Sequence, residues 1–224
     1  MASLGQYILD TDRNDVYLNL FISNTTKLDL NGKTAEIKVE TKFPWESRMN
    51  IFVKAQDGLK LHIRIPDYAI NFVIQGEKNI KYKKENHYAV IDLNSDTSFS
   101  ISFDMKAVWV AANSNIREDI GKAALVKGPI VYCFEETDNG SNLASVYVDA
   151  HSTIEEKYVT VPTECIALYV KGKRMIMEER DLYFLLTSTK CESVELKAIP
   201  YAYWCNRVPG EMAVWMKYLN YDPV

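Results

Sequence analysis

The stretch Leu59-Lys60-Leu61-His62-Ile63-Arg64-Ile65 alternates apolar and polar side chains at every step. Because successive side chains of a β-strand point to opposite faces, this pattern predicts a half-buried strand whose four aliphatic residues face a core. The same alternation recurs at 16–22, 35–39, 49–53 and 99–103. The first half of the chain is therefore expected to form antiparallel sheets.

The segments between these runs have the chemistry of tight turns. Asn31-Gly32 and Asp57-Gly58 tolerate the positive φ of hairpin turns, and Lys171-Gly172 predicts a third hairpin between 166–170 and 174–177. Further short apolar runs follow at 123–126, 130–134, 145–148, 165–170, 182–187, 194–199 and 212–218. Many short strands without intervening helices are typical of β-sandwiches rather than of a parallel sheet.

The fold class is accordingly expected to be all-β, with two tandem antiparallel, jelly-roll-like sandwiches. A change of composition after Phe103 places their junction near 105–110, so the sandwiches are assigned to 13–107 and 108–224. Residues 1–12 are interpreted as a short helical stub, because Met1, Leu4 and Ile8 share one helical face. So short a helix is marginal alone, so we expect it to pack beside Tyr17 and Phe21 or against a second copy of the chain, a homo-oligomer.

Composition excludes several classes of function. The 26 basic and 30 acidic residues of this 224-residue chain leave a net charge of −4, which lacks the basic footprint of a nucleic-acid-binding protein. No apolar run approaches the roughly 20 residues that span a bilayer. The first residues lack the pattern of a secretory signal, which predicts a cytoplasmic location and no membrane partner.

No constellation of reactive side chains stands out. A glycosidase needs two carboxyl groups across a sugar, but no pair is singled out among Glu135, Glu136, Glu164, Asp181 and Glu211, which are expected at solvated strand ends. His62, His87 and His151 have no nucleophile motif nearby, and His62 is expected at the surface. Cys133, Cys165, Cys191 and Cys205 lack metal-ligand spacing and are interpreted as buried free thiols. The sequence therefore predicts no catalytic residue, cofactor or metal site.

Aromatic residues are the remaining candidates. Tyr201, Tyr203 and Trp204 are crowded together after Pro200. Such a cluster can stack on a sugar ring, but large aromatic side chains more often pack in a core or at an interdomain contact, which is the interpretation favoured here.

Four stretches, in order, resemble the C-terminal half of glycoside hydrolase family 127, the β-L-arabinofuranosidase family. The first is 2–8 leading into 16–22, and the second is Phe43-Pro44-Trp45-Glu46-Ser47-Arg48 with Leu61–Pro66. The third is Lys127-Gly128-Pro129-Ile130-Val131-Tyr132-Cys133-Phe134-Glu135. The fourth is 198–215, which includes Asn206-Arg207 and Pro209-Gly210-Glu211-Met212. The second and third are similar to the family's Tyr-Pro-Trp-Asp-Gly and Arg-Gly-Pro-Leu-Val-Tyr-Cys-Leu-Glu. Lys127 stands where the family tends to have Arg, and Asp67-Tyr68 replaces Gly-Trp.

The resemblance implies a catalytic (α/α)6 barrel elsewhere in the parent protein, holding a zinc-bound cysteine nucleophile and a glutamate acid/base. Its last ligands, two adjacent cysteines, would fall before Met1, so this chain is expected to be inactive and without zinc. We therefore expect a non-catalytic portion that supports the barrel of an arabinofuranose-releasing hydrolase active on plant-type glycans. The alternatives are a stand-alone carbohydrate-binding module and an interaction domain that docks onto a separate catalytic chain.

Overall fold

The chain is all-β. The computed structural model describes residues 3–55, 58–77, 79–160, 162–176, 183 and 190–219. Helices within these ranges are single turns: α1 at Glu136–Asn139 and 3-10 helices at Leu4–Tyr7, Arg117–Asp119, Leu143–Ser145 and Tyr201–Tyr203. None of them has the length and apolarity of a membrane-spanning segment.

Contacts divide the chain into two compact units, Met1–Met105 and Lys106–Val224. The described strands of the first unit are β1 Leu9–Asp12, β2 Asp15–Leu18, β3 Asn24–Leu30, β4 Lys33–Thr41, β5 Arg48–Ala55, β6 Leu59–Arg64, β7 Phe72–Gly76, β8 Lys83–Glu85, β9 Tyr88–Leu93 and β10 Thr97–Phe103. Those of the second are β11 Ala107–Ala111, β12 Lys122–Lys127, β13 Ile130–Glu135, β14 Val146–Asp149, β15 Glu155–Val159, β16 Cys165–Met175, β17 Cys191–Pro200, β18 Met212–Ala213 and β19 Trp215–Leu219.

The first unit contains two five-stranded sheets, ordered β1-β2-β6-β9-β8 and β3-β4-β5-β10-β7. Their inward side chains contribute to one hydrophobic core, in which Leu59, Leu61 and Ile63 of β6 are buried as their alternation predicts. The predicted Asn31-Gly32 hairpin is confirmed, since both residues have positive φ and join paired β3 and β4. Asp57 of the second predicted turn lies outside the described residues.

The N-terminal segment differs from the predicted stub. The helical part is a 3-10 turn at Leu4–Tyr7, whereas Leu9–Asp12 pairs with β2 in a hairpin whose turn residue Arg13 has φ of 56°. Residues 9–12 form a strand because their backbone groups find hydrogen-bond partners along the edge of β2. Four residues in an isolated helix would lack such partners. Ile8 packs against the core cluster that includes Phe21, while Leu4 and Tyr7 are exposed.

The second unit closes on itself. Its sheet runs β11-β12-β19-β14-β16-β17-β13-β18, and β12 also pairs with β13. Six strands, β12, β19, β14, β16, β17 and β13, therefore form a closed ring of pairings around a core that contains Leu125, Tyr132 and Phe134. This is a barrel closure, and it differs from the two separate sheets that the predicted sandwich requires, because β12 pairs with β19 through 122–124 and with β13 through 126–127.

The predicted Lys171-Gly172 hairpin is wrong. Both residues lie inside β16, an eleven-residue strand that pairs with β17 and β14. Glycine is needed there for space, since a Cβ on Gly172 would lie 2.6 Å from the backbone oxygen of Tyr147. The predicted strand at 182–187 lies, apart from Tyr183, outside the described residues.

Candidate functional site: an exposed aromatic pair above a buried ion cluster

The three aromatic residues predicted as a contact site lie on one rigid turn. Pro200 ends β17, and a 3-10 turn at Tyr201–Tyr203 follows, closed by a 3.0 Å hydrogen bond from the Trp204 amide to the Tyr201 carbonyl oxygen. Cys205 then adopts a φ of +66°, which reverses the chain. A residue without glycine's freedom rarely takes this conformation, so the surrounding contacts must hold it.

The turn presents two of the three aromatic rings to solvent. The rings of Tyr201 and Trp204 stack with centroids 5.8 Å apart and planes inclined by 21°, and they are 44% and 41% exposed. Tyr203 is half-buried against a small cluster that contains Cys133 and Ile199. The predicted core packing therefore describes Tyr203, whereas Tyr201 and Trp204 form an exposed aromatic pair, for which the interdomain contact stays a prediction.

Beneath this pair lies a cluster of four charged side chains, here called the ion cluster: Glu135, Asp138, Lys197 and Arg207. The Arg207 guanidinium donates to both carboxylate oxygens of Asp138, at 2.9 and 2.6 Å, and also to Glu135. Lys197 Nζ lies 3.1 Å from Asp138 Oδ1. The four side chains are only 9–17% exposed, so two buried acids are matched by two buried bases.

The charges set the protonation of the cluster. Burial by itself would raise the pKa of Asp138, but hydrogen bonds from Arg207 and Lys197 outweigh it and hold that pKa below its usual range. The hydrogen bond with Asp138 raises the pKa of Arg207 above its already high value. Both groups are therefore charged at neutral pH, and the cluster is a salt bridge rather than a proton donor poised for catalysis.

The ion cluster fixes the aromatic turn through the backbone. Glu135 Oε1 accepts a 3.1 Å hydrogen bond from the amide of Cys205, the residue with positive φ. The Asn139 side chain bridges the carbonyl oxygens of Glu135 and Lys197 at 2.9 Å each and also accepts from the Lys197 amide. The exposed pair is thus anchored to β13, α1 and β17 by buried polar groups.

A second set of contacts holds the following residues. The amide of Glu136 donates to the Glu211 carbonyl oxygen at 2.9 Å, and the Glu211 amide donates back to Glu136 Oε2 at 2.8 Å. Glu211 Oε2 also accepts from the Leu143 amide at 2.7 Å. Gly210 permits this approach, because a Cβ there would lie 3.0 Å from Glu136 Oε2.

These contacts correct the interpretation of Glu135, whereas Glu164 and Glu211 are exposed directly before strands, as expected. Glu135 is 7% exposed and is bound to Arg207, so it is not a solvated strand end. Glu136 and Glu211 bind backbone amides instead of facing each other across a cleft. Glu164 is hydrogen-bonded to Tyr158, and Asp181 lies outside the described residues.

The cysteines divide by position. Cys133 and Cys165 are buried, and burial raises the pKa of Cys133 to about 12, so its thiol stays protonated. Cys191 and Cys205 are exposed, contrary to the expectation of buried thiols. Cys191 is the first residue of β17, and Cys205 lies in the aromatic turn. Among the described residues, no three His, Cys, Asp or Glu side chains gather as a metal site would require.

His62 is less exposed than predicted. It is on the outward face of β6, but its ring stacks on Tyr17 at 4.3 Å and its Nε2 lies 3.3 Å from Asp15 Oδ1, leaving the side chain 12% exposed. His87 Nδ1 lies 3.2 Å from Asp67 Oδ1 in an exposed pair. His151 is exposed, and its amide donates to Asp149.

Comparison with known proteins identifies the family. The model described as "Beta-L-arabinofuranosidase, GH127 middle domain" matches residues 15–107, and that of the "Glycoside hydrolase family 127 C-terminal domain" matches 107–217. The chain belongs to glycoside hydrolase family 127. The aromatic turn and the ion cluster thus lie within the C-terminal domain of the family.

Family 127 relatives are much longer than this chain. A non-reducing end β-L-arabinofuranosidase of Bifidobacterium longum is 26% identical over 97% of the chain but only 35% of its own length. The crystal structure of a GH127 β-L-arabinofuranosidase from Geobacillus stearothermophilus T6 aligns with a TM-score of 0.89 at 28% identity, covering 97% of this chain and 36% of that one. A further structure, called a glycoside hydrolase, has a TM-score of 0.83 at 24% identity over 96% and 37% of the two chains, and shows the fold alone.

Sequence reasoning found the aromatic residues but not what holds them. Arg207 stands within the family signature, but no sequence pattern marks Asp138, Asn139 or Lys197 as its partners. One signal was available, since Glu135 directly follows the apolar run 130–134 and continues the strand into the core. An acid in that position needs a buried base, because an unpaired buried charge is too costly.

Proposed function

We propose that this chain is the non-catalytic β portion of a family 127 glycoside hydrolase and that it supports a separate catalytic region. The observation that carries the proposal is the exposed aromatic pair on a turn anchored by the ion cluster. Two solvent-exposed rings gain nothing from such anchoring in isolation, whereas rigid aromatic anchors beside a buried charge network suit a protein contact.

The length comparison supports this proposal. The chain aligns over nearly its whole length with about a third of each relative, and the exposed rings of Tyr201 and Trp204 are available to contact the remainder. The parent protein is then a hydrolase that releases β-L-arabinofuranose, as the names of the relatives indicate. Its reactive cysteine, its glutamate acid/base and the zinc would belong to the catalytic region, and we propose that this chain binds no zinc.

The proposal is tested in two steps. The purified chain is expected to show neither stoichiometric zinc by metal analysis nor turnover of aryl β-L-arabinofuranosides. Zinc together with cysteine-dependent turnover would contradict it.

The second step measures the contact. In the parent polypeptide, Tyr201→Ala with Trp204→Ala should lower the thermal stability of the catalytic region or its turnover. Tyr158→Ala is the control, because Tyr158 is a tyrosine on β15 that lies outside the aromatic pair and is more exposed than either of its residues. Equal effects of the two changes would remove the support for a contact at Tyr201 and Trp204.

A further inference from the structure

A groove runs along the outward face of β10 in the first unit. The inward residues Phe99, Ile101 and Phe103 are buried, so the alternation Ser-Phe-Ser-Ile-Ser-Phe places the serines at 98, 100 and 102 on the opposite face. β10 lies between β5 and β7. A strand in the middle of a sheet therefore has only short hydroxyl side chains on this face: Ser98 is exposed and Ser102 is half-buried, whereas Ser100 is buried between its neighbours.

Longer side chains on the neighbouring strands form the walls. Phe52 and Asn50 of β5 lie directly opposite Ser98 and Ser100, and Gln75 of β7 lies opposite Ser100 on the other side. Because neighbouring strands are about 4.8 Å apart, the two walls stand roughly 10 Å apart over a floor of serine. The resulting cavity, here called the serine groove, has a volume of about 390 Å³, and its lining also includes the oppositely charged Arg48 and Glu77.

The lining is rich in groups that can form hydrogen bonds. Asn50 and Gln75 are exposed, and their carboxamides make no side-chain hydrogen bond to another described residue. The Ser100 hydroxyl has only a long 3.5 Å contact to the Gln75 carbonyl oxygen. Threonine and valine are among the residues enriched in strands, whereas this face of β10 carries three serines.

This chemistry points to a ligand with many neutral hydroxyl groups. A carboxamide offers a donor and an acceptor side by side, which matches two neighbouring hydroxyls of a sugar, and serine hydroxyls can both donate and accept. The ring of Phe52 is 40% exposed, and Lys38 Nζ lies 5.7 Å from its centroid. The remaining ring surface is apolar and can contact the C–H face of a sugar. We infer that the serine groove binds a neutral oligosaccharide chain.

A peptide fits the serine groove poorly. Peptides that extend a sheet use the free backbone groups of an edge strand, but the floor of the groove is β10, which is hydrogen-bonded on both sides. The groove also lacks the deep apolar pocket in which a protein partner anchors an aromatic side chain. The inference rests on the groove alone and is independent of the proposed contact at Tyr201 and Trp204.

The test uses this chain alone and isothermal titration calorimetry with arabinan- and xylan-derived oligosaccharides as probes. Saturable binding is expected with at least one of the two. Ser98→Leu fills the groove from an exposed position and should weaken binding by about tenfold or more, a loss of about 1.4 kcal/mol. The double change Asn50→Ala with Gln75→Ala should do the same by removing the carboxamides, and it guards against a folding defect in the first variant.

Thr25→Ala is the matched control, since Thr25 is an exposed residue on β3 of the same sheet, away from the groove. It should leave binding unchanged. The inference is overturned if the folded chain binds neither probe, or if both groove variants bind like the unaltered chain. Loss of oligosaccharide binding on replacing Tyr201 and Trp204 instead would also overturn it, because the ligand would then occupy the aromatic pair.

Discussion

Replacing Arg207 by alanine tests the central structural claim, that the ion cluster holds the aromatic turn. The change would leave Glu135 with the Cys205 amide as its side-chain partner and Asp138 with Lys197. Both carboxylates are about nine-tenths buried, so water cannot replace the guanidinium without opening the turn. Arg207→Ala therefore removes one partner from a buried pair instead of deleting a surface bridge.

Breaking a buried ion pair in this way costs about 3–5 kcal/mol, and the residual exposure of the cluster favours the lower value, about 3 kcal/mol. At roughly 4 °C per kcal/mol for a domain of this size, the melting temperature of the second unit should fall by roughly 12 °C. Chemical unfolding monitored by tryptophan fluorescence measures the free energy directly, and calorimetry gives the melting temperature.

Two comparison variants sharpen the experiment. Arg207→Lys keeps the charge but loses the planar guanidinium that spans Glu135 and Asp138. Its free energy of unfolding should therefore lie between those of the native chain and the alanine variant. Arg207→Met and Lys197→Met combined with Glu135→Gln and Asp138→Asn removes all four charges together and should cost less than Arg207→Ala alone. A loss below about 1 kcal/mol for Arg207→Ala, the range of exposed pairs, would refute the reasoning.

Three further results are expected. The pKa of Asp138 is lower in the folded chain than in the unfolded one, so its contribution to stability is complete above the unfolded value of about 3.9 and is lost as the pH falls through the folded value. In urea unfolding below pH 4, Asp138→Asn should therefore lose less free energy of unfolding on acidification than the native chain. An equal loss would contradict the shift of the pKa. Gly172→Ala should destabilise the chain by about 1–3 kcal/mol in thermal unfolding, because its Cβ would overlap the Tyr147 carbonyl oxygen, whereas Gly5→Ala, with open space around its Cβ, should be neutral. Iodoacetamide at pH 8 should label Cys191 and Cys205 in the folded chain and spare Cys133, whose pKa is raised to about 12; rapid labelling of Cys133 before unfolding would show that the thiol is accessible.

The alternation of apolar and polar residues predicts the strands well where one face of the strand is buried and the other is exposed to solvent. β5 and β6 alternate in burial as their sequences do, because a period of two allows only one assignment of faces. The same reasoning failed at Gly172, where glycine marks a close backbone approach within a strand and not a turn. That approach depends on Tyr147, a residue 25 positions away that no local pattern connects to it.

Long-range pairing explains the remaining differences. The barrel closes through β12 and β19, which lie about 90 residues apart, and strand alternation alone does not distinguish such a ring from two facing sheets. The ion cluster of the candidate site also depends on contacts between residues far apart in the sequence. Glu135 and Asp138 meet Arg207 across 72 and 69 positions, so the sequence shows the charges without showing that they are paired.

The position of β19 in the ring also bears on how the chain folds as it is synthesised. The first unit is complete once residue 105 has emerged, but the second cannot close until residues 215–219 are available to lie between β12 and β14. Until then β12 and β14 each present a free edge, the kind of surface on which strands of different molecules pair. A ribosome-bound chain is therefore expected to protect its first unit early and to leave the second open to chaperones until its last residues emerge.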